Sequence, residues 1–191
     1  MDRQQFWKLL EPIHPAAEAF CRKLTGNRDD GDDLYQEGLL AAIVKIESLK
    51  DPNSFRPWLY RILVNRFKNR YRRSWWSRKI DRSANGSATS GIFDPRGEYD
   101  SRRWLERTMR VLSAEDRALI LLYEIEGWKV AELASMFGKP EGTIKARLFR
   151  ARRKMREVVE NYLARTETVN SAGEAIHGKE KYAMPGSDSA D

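Results

Sequence analysis

The stretch Ser83–Gly97 reads SANGSATSGIFDPRG and cuts the chain into two lengths, each able to build only a small core. Ser, Gly, Asn and Pro crowd this stretch, and its few apolar residues follow neither a helical nor a strand period, so it has no face to bury. On both sides of it apolar residues recur at three- and four-residue intervals, and no run alternates β-branched residues between hairpin dipeptides. The expected fold class is all-α, with two small helical domains at 1–80 and 99–165 joined by a flexible linker at 81–98. From Thr166 large apolar residues are few and the chain ends PGSDSAD, so 166–191 is expected to be a disordered tail. Charged residues make up 33% of the 191, above the usual figure of roughly a quarter, which suits two small cores better than one large one.

Charge is laid down in blocks. Asp29 to Glu37 holds five acids and no base, Arg56 to Lys79 nine bases and no acid, and Glu141 to Arg156 seven bases against one acid. With 35 Lys and Arg against 28 Asp and Glu, and a basic block in each half, the pattern suggests two contacts on one long polyanion. Other classes are disfavoured. The single cysteine, Cys21, rules out an intramolecular disulfide and a cysteine-held zinc, and His14 and His177 are far apart, so neither a metal nor a cofactor is expected. No apolar run approaches the ~18 residues of a membrane span, and Met1 to Leu10 lacks the apolar core of a signal peptide. A cytoplasmic chain with no membrane insertion is the expectation.

In the first half, Asp29 or Asp30 is placed to cap a helix with an acidic first turn, on which Tyr35, Leu39, Ala42, Ile46 and Leu49 form the buried stripe. Asp33, Gln36 and Glu37 fall off that stripe, and by composition alone they read as a solvated helix start. Ser54 is the expected cap of a second helix, with Pro57 in its first turn and Phe55, Trp58, Leu59, Ile62 and Leu63 on its apolar face. At about 100° per residue, Arg61, Asn65, Lys68 and Arg72 share another face. Seven aromatics lie between Phe55 and Trp76, more than one helix stripe buries, and bases interleaved with aromatics suit a single nucleic-acid strand. Phe55 and Trp58 also fit a core.

In the second half, Ser113-Ala-Glu-Asp116 is a capping pattern ahead of an apolar run that Gly127 stops. Val130 to Phe137 makes two helical turns, Gly138 breaks them, and Pro140 restarts a helix. That is helix-turn-helix spacing. Ile144, Leu148, Ala151 and Met155 form the buried stripe of the last helix, leaving Gly142, Ala146, Phe149, Arg150 and Arg153 opposite, with Lys145 beside them. A phenylalanine on an exposed basic face is poorly explained by packing and suits apolar contact with a thymine methyl or a sugar.

Taken in order, Leu24-Thr-Gly-Asn27, Asp33-Leu-Tyr-Gln-Glu37, Trp58-Leu-Tyr-Arg-Ile62 with Asn65, and Pro140-Glu-Gly-Thr-Ile-Lys-Ala-Arg147 through Arg152 closely resemble the extracytoplasmic-function (ECF) sigma factors of bacterial RNA polymerase. The resemblance spans about 15 to 165. It implies a sigma region two helical bundle, which binds core polymerase and recognises and melts the −10 element, and a sigma region four helix-turn-helix, which reads the −35 element. By position, Asp33, Gln36 and Glu37 correspond to the face that binds core RNA polymerase, which replaces the solvated-face reading. Lys50 to Phe55 is similar to the loop that traps a flipped base. Phe55, Arg61, Asn65, Lys68, Asn69 and Arg72 are the implied −10 DNA contacts. Gly142, Thr143, Lys145, Ala146, Arg147, Phe149, Arg150 and Arg153 are the implied −35 contacts. The linker would thread the polymerase cleft, and the implied partners are core polymerase, promoter DNA and an anti-sigma factor. Lys129 departs from the family's usual Ser or Thr helix cap, and Ala146 from a frequent serine.

Two other readings differ in class. An autonomous helix-turn-helix regulator would bind duplex DNA without polymerase. A nuclease would need Asp29, Asp30, Asp33 and Glu37 to hold Mg²⁺, yet no nucleophile position or general base accompanies them, and the reading adopted assigns no catalytic residue.

Overall fold

The computed structural model describes residues 3–84 and 101–180, and every regular element among them is helical. In chain order these are α1 (Arg3–Leu10), α2 (His14–Thr25), α3 (Arg28–Lys45), α4 (Phe55–Ala84), α5 (Ser101–Arg110), α6 (Ala114–Glu124), α7 (Val130–Phe137) and α8 (Glu141–Glu180). Short 3-10 turns at Ile46–Ser48 and Pro52–Ser54 join α3 to α4. Most of the expected linker, from 85 onward, lies outside the described residues.

Local chemistry sets most boundaries. Gly26 ends α2 in the left-handed conformation, φ 76°, with its N–H donating to the Arg22 carbonyl. Asn27 then caps α3, its side-chain oxygen accepting the N–H groups of Asp29 at 2.8 Å and Asp30 at 3.2 Å. The cap expected at Asp29 or Asp30 therefore sits earlier, because the glycine turn delivers Asn27 in extended conformation with its amide oxygen facing the first turn. Likewise Ser54 does not cap α4. It ends the 3-10 turn that Asp51 caps, donating its hydroxyl to the Asp51 carboxylate at 3.2 Å. Ser113 caps α6 as its sequence pattern implied, accepting the Asp116 N–H at 3.1 Å. Lys129 has no acceptor to offer α7, and the Glu132 carboxylate takes the Lys129 N–H at 2.7 Å instead.

Phe6, Phe20, Leu24, Leu34, Leu59 and Leu63 are fully buried in the first half, and Leu112, Leu119, Leu122, Leu133 and Ile144 are buried in the second. Glycine lets the first bundle close. A β-carbon at Gly31 would strike the Arg22 backbone, and one at Gly38 the Leu63 side chain, so α3 lies against α2 and α4 at a separation only glycine permits.

The halves also pack on each other. Trp128 covers Tyr60 with ring centroids 5.2 Å apart, the Tyr60 hydroxyl donates to Glu126 at 3.1 Å, and Arg56 lies over the Trp128 ring at 4.7 Å. Arg117, 7% exposed, donates to the carbonyls of Met109 and Leu24 and sits against the Phe67 and Tyr71 rings. This seam absorbs Tyr60, Phe67 and Tyr71, aromatics that a single α4 stripe could not bury. α4 runs to Ala84, past the boundary read at 80. α8 runs to Glu180, so the backbone over 166–180, expected as part of the tail, is drawn as helix, and no proline interrupts it. Residues 181–191 lie outside the described residues.

Candidate nucleic-acid interface and acidic face

α4 positions the first cationic face. Arg61, Asn65, Asn69 and Arg72 are exposed on one side of the helix, while Leu59, Leu63, Val64 and Phe67 are buried on the other. Lys68 lies among the exposed group, but its ammonium is 3.6 Å from Glu115 in the other half of the chain. Phe55 stands apart from this face. Its ring is 3% exposed, 5.4 Å from Phe6 in an edge-on contact and 5.8 Å from Trp58, so it packs in the core. The physical reason is its place at the first position of α4, where the helix turns its apolar stripe onto α1. The side chains of Trp75 and Trp76 lie outside the described residues.

α7, the Gly138 turn at φ 61° and α8 build the second face. Gly142, Thr143, Lys145, Ala146, Phe149, Arg150 and Arg153 are all exposed, and Phe149 is 66% so. Gly142 has open space around it, which leaves the helix backbone free to approach a large ligand. Lys145 and Arg153 make only i,i+4 pairs with Glu141 at 3.8 Å and Glu157 at 3.4 Å, contacts that cost little to break in water. Arg147 differs from its neighbours. Its side chain is 16% exposed, and its guanidinium meets Asp116 at 2.6 and 2.8 Å and Glu115 at 3.0 Å. Unlike the other residues expected to face DNA, Arg147 has its guanidinium held by these two carboxylates at the start of α6.

The acidic face belongs to α3. Asp33, Gln36 and Glu37 are exposed together, and Arg70 of α4 reaches Asp30 at 3.8 Å and Asp33 at 3.9 Å. Asp32 faces the other way, paired with Arg22, which keeps its carboxyl below the usual range by hydrogen bonding. Two residues on this face escaped the sequence reading. Leu40 and Val44 are 67% and 83% exposed, and they follow Asp33 and Glu37, respectively, each at the i+7 position. Their signal lay in that spacing, since both fall off the Tyr35–Ala42 stripe. Among the described residues no cluster of His, Cys, Asp and Glu could hold a metal, and no helix is long and apolar enough to cross a membrane.

Comparison with known proteins gives this geometry a family. Residues 9–77 match the family described as Sigma-70 region 2, and residues 102–155 match Sigma-70, region 4. The chain is 32% identical over 143 residues to the ECF RNA polymerase sigma factor EcfG of Rhodopseudomonas palustris, covering 74% of this chain and 77% of that one. It is 28% identical over 154 residues to the ECF sigma factor SigM of Mycobacterium tuberculosis, covering 81% and 76%. Among solved structures it resembles the sigma factor RpoE in complex with the anti-sigma factor NepR from Bartonella quintana, with a TM-score of 0.62, 28% identity and coverage of 81% and 96%. A TM-score of 0.59 at 24% identity relates its fold to CnrH, solved with the cytosolic domain of CnrY. With its helix-turn-helix, its two cationic helix faces and its acidic helix, the chain belongs to the ECF sigma factors, which direct promoter-specific transcription initiation by RNA polymerase.

Proposed function

We propose that α8 reads the −35 element in the major groove, that α4 holds the melted −10 strand, and that the acidic face of α3 docks on core polymerase. The observation carrying this is the pair of exposed cationic helix faces in separate halves of the chain, one of them bearing an exposed Phe149. On α8 the direct contacts are Lys145, Ala146, Phe149 and Arg150, with Gly142, Thr143 and Arg153 flanking them; Arg147 serves by locking α8 to α6. On α4 they are Arg61, Asn65, Lys68, Asn69 and Arg72, with the exposed turn Asp51–Ser54 beside them in place of Phe55. Lys68 must exchange Glu115 for phosphate, which a half-exposed pair at 3.6 Å permits. On α3, Leu40 and Val44 extend the Asp33, Gln36, Glu37 face with apolar area. By analogy with its relative in complex with NepR, the free chain is held in check by an anti-sigma factor.

The test is reconstitution with core polymerase on a promoter selected from a random library. Asp33→Ala with Glu37→Lys is expected to abolish core binding while the melting curve stays near wild type. Arg61→Ala with Asn65→Ala is expected to leave closed complexes intact but to remove permanganate reactivity at −10 thymines. Normal promoter melting by that variant would overturn the single-strand role of α4.

A further inference from the structure

At the seam between the halves, the end of α2, the turn after it and the end of α5 border a half-open cavity of about 500 Å³. Arg22, Lys23 and Arg28 reach it from one half and Arg110 and Arg117 from the other, and among the described residues no carboxylate lines it. Leu105 and Met109 add an apolar wall. Arg22 is neutralised by Glu18 and Asp32, and Arg28 lies 4.0 Å from Asp32. Arg117 finds carbonyls rather than acids, and these belong to the C-terminal turns of α2 and α5, whose dipoles suit one buried cation. Among the described residues, that leaves Lys23 and Arg110 with no acid to offset them. Burial, and to a lesser extent Arg110 nearby, pushes the Arg117 guanidinium below its ordinary range. Packing the halves therefore brings like charges from both sides into one concavity, at a cost that a bound anion would remove.

We propose that this cavity binds a small phosphorylated anion, which bridges Lys23 and Arg28 of the first half to Arg110 and Arg117 of the second and holds the two halves packed. Cations converging from two sides suit a group with several charged oxygens, and guanidinium forks match phosphate. The volume lies within the range of small-molecule sites, and the Leu105–Met109 wall suits an attached base or similar flat group. None of the five cations belongs to the DNA-facing sets, so this site stands or falls independently of promoter reading. A ligand that binds only the packed arrangement stabilises it by mass action.

The experiment uses the full chain, with calorimetry and thermal melting against inorganic phosphate, pyrophosphate and ADP at constant ionic strength. Pyrophosphate or ADP is expected to raise Tm by about 3 to 6 °C at millimolar concentration. Lys23→Gln with Arg110→Gln is expected to weaken binding by about tenfold or more. Lys139→Gln with Lys154→Gln removes the same charge from exposed sites that do not line the cavity and should change binding by no more than about twofold. Arg28→Gln, on a side chain 77% exposed, should weaken binding without disturbing the seam and guards against a folding defect in the first pair. A larger shift with ADP than with pyrophosphate identifies a nucleotide, and equal shifts identify the phosphate chain itself; both support the site. No shift with any of the three, or equal weakening by both double variants, would overturn it, the latter marking general attraction to a chain of net charge +7.

Discussion

Arg147 and Arg150 stand one turn apart on α8 and face opposite fates. Arg147 is fixed by Asp116 and Glu115, while Arg150 is exposed beside Phe149. Removing Arg147 would take from Asp116 and Glu115 the guanidinium they share at a partly buried contact, leaving them only Ser113 and Lys68, so Arg147→Ala is expected to destabilise the second half by about 1 to 3 kcal/mol in urea unfolding. Its promoter preference, measured in holoenzyme, should remain that of wild type. Arg150→Ala should do the reverse. Its melting curve should stay within about 0.5 kcal/mol of wild type, and it should lose about 1 to 3 kcal/mol on the best promoter, with preference flattened at one −35 position. A uniform loss over all promoters with a shallower salt dependence would instead make Arg150 a phosphate clamp.

Elements are placed by contacts too close for most side chains. Gly31 brings α3 against the α2 backbone, so Gly31→Ala must part the two helices and is expected to cost about 2 to 3 kcal/mol, read by thermal melting. The same two helices are tied by Arg22 and Asp32. Because hydrogen bonding to Arg22 lowers the Asp32 pKa in the folded chain, the stabilisation is fully present above the unfolded value near ~3.9 and is lost as pH falls through the folded value. Asp32→Asn should therefore flatten the acid limb of the stability profile below about pH 4 and leave its slope near neutrality unchanged. A wild-type acid limb in that variant would show that the pair contributes nothing to acid sensitivity.

In the whole molecule, the seam fixes how the two halves lie against each other. Tyr60 with Glu126, Arg56 with Trp128 and Lys68 with Glu115 hold them together. Arg56→Ala with Tyr60→Phe removes the first two contacts while keeping the Tyr60 ring in the core. That variant is expected to show a larger radius of gyration by small-angle scattering with unchanged helix content. An unchanged radius would mean that Arg117 and the aromatic packing suffice to hold the seam. For the wild-type chain without polymerase, nanomolar promoter binding at physiological salt is not expected, since nothing then presents both DNA-facing helices at promoter spacing.

At that same scale, the sequence by itself determined the helical class, the glycine turn at Gly138, the Ser113 cap of α6 and the two cationic faces. Each of these is written in residues within a turn or two of one another, where period and turn chemistry act. Tertiary structure alone decided the rest. Phe55 and Arg147 carry the residue types of a nucleic-acid contact, but Phe6, some fifty positions earlier, claims one, and Glu115 and Asp116, thirty positions earlier, claim the other. The surplus aromatics of α4 looked like stacking surface until Trp128 and Arg117 arrived from the second half to cover Tyr60, Phe67 and Tyr71. A local pattern states which face a side chain points from, and only the element packed opposite determines whether that face meets protein or solvent.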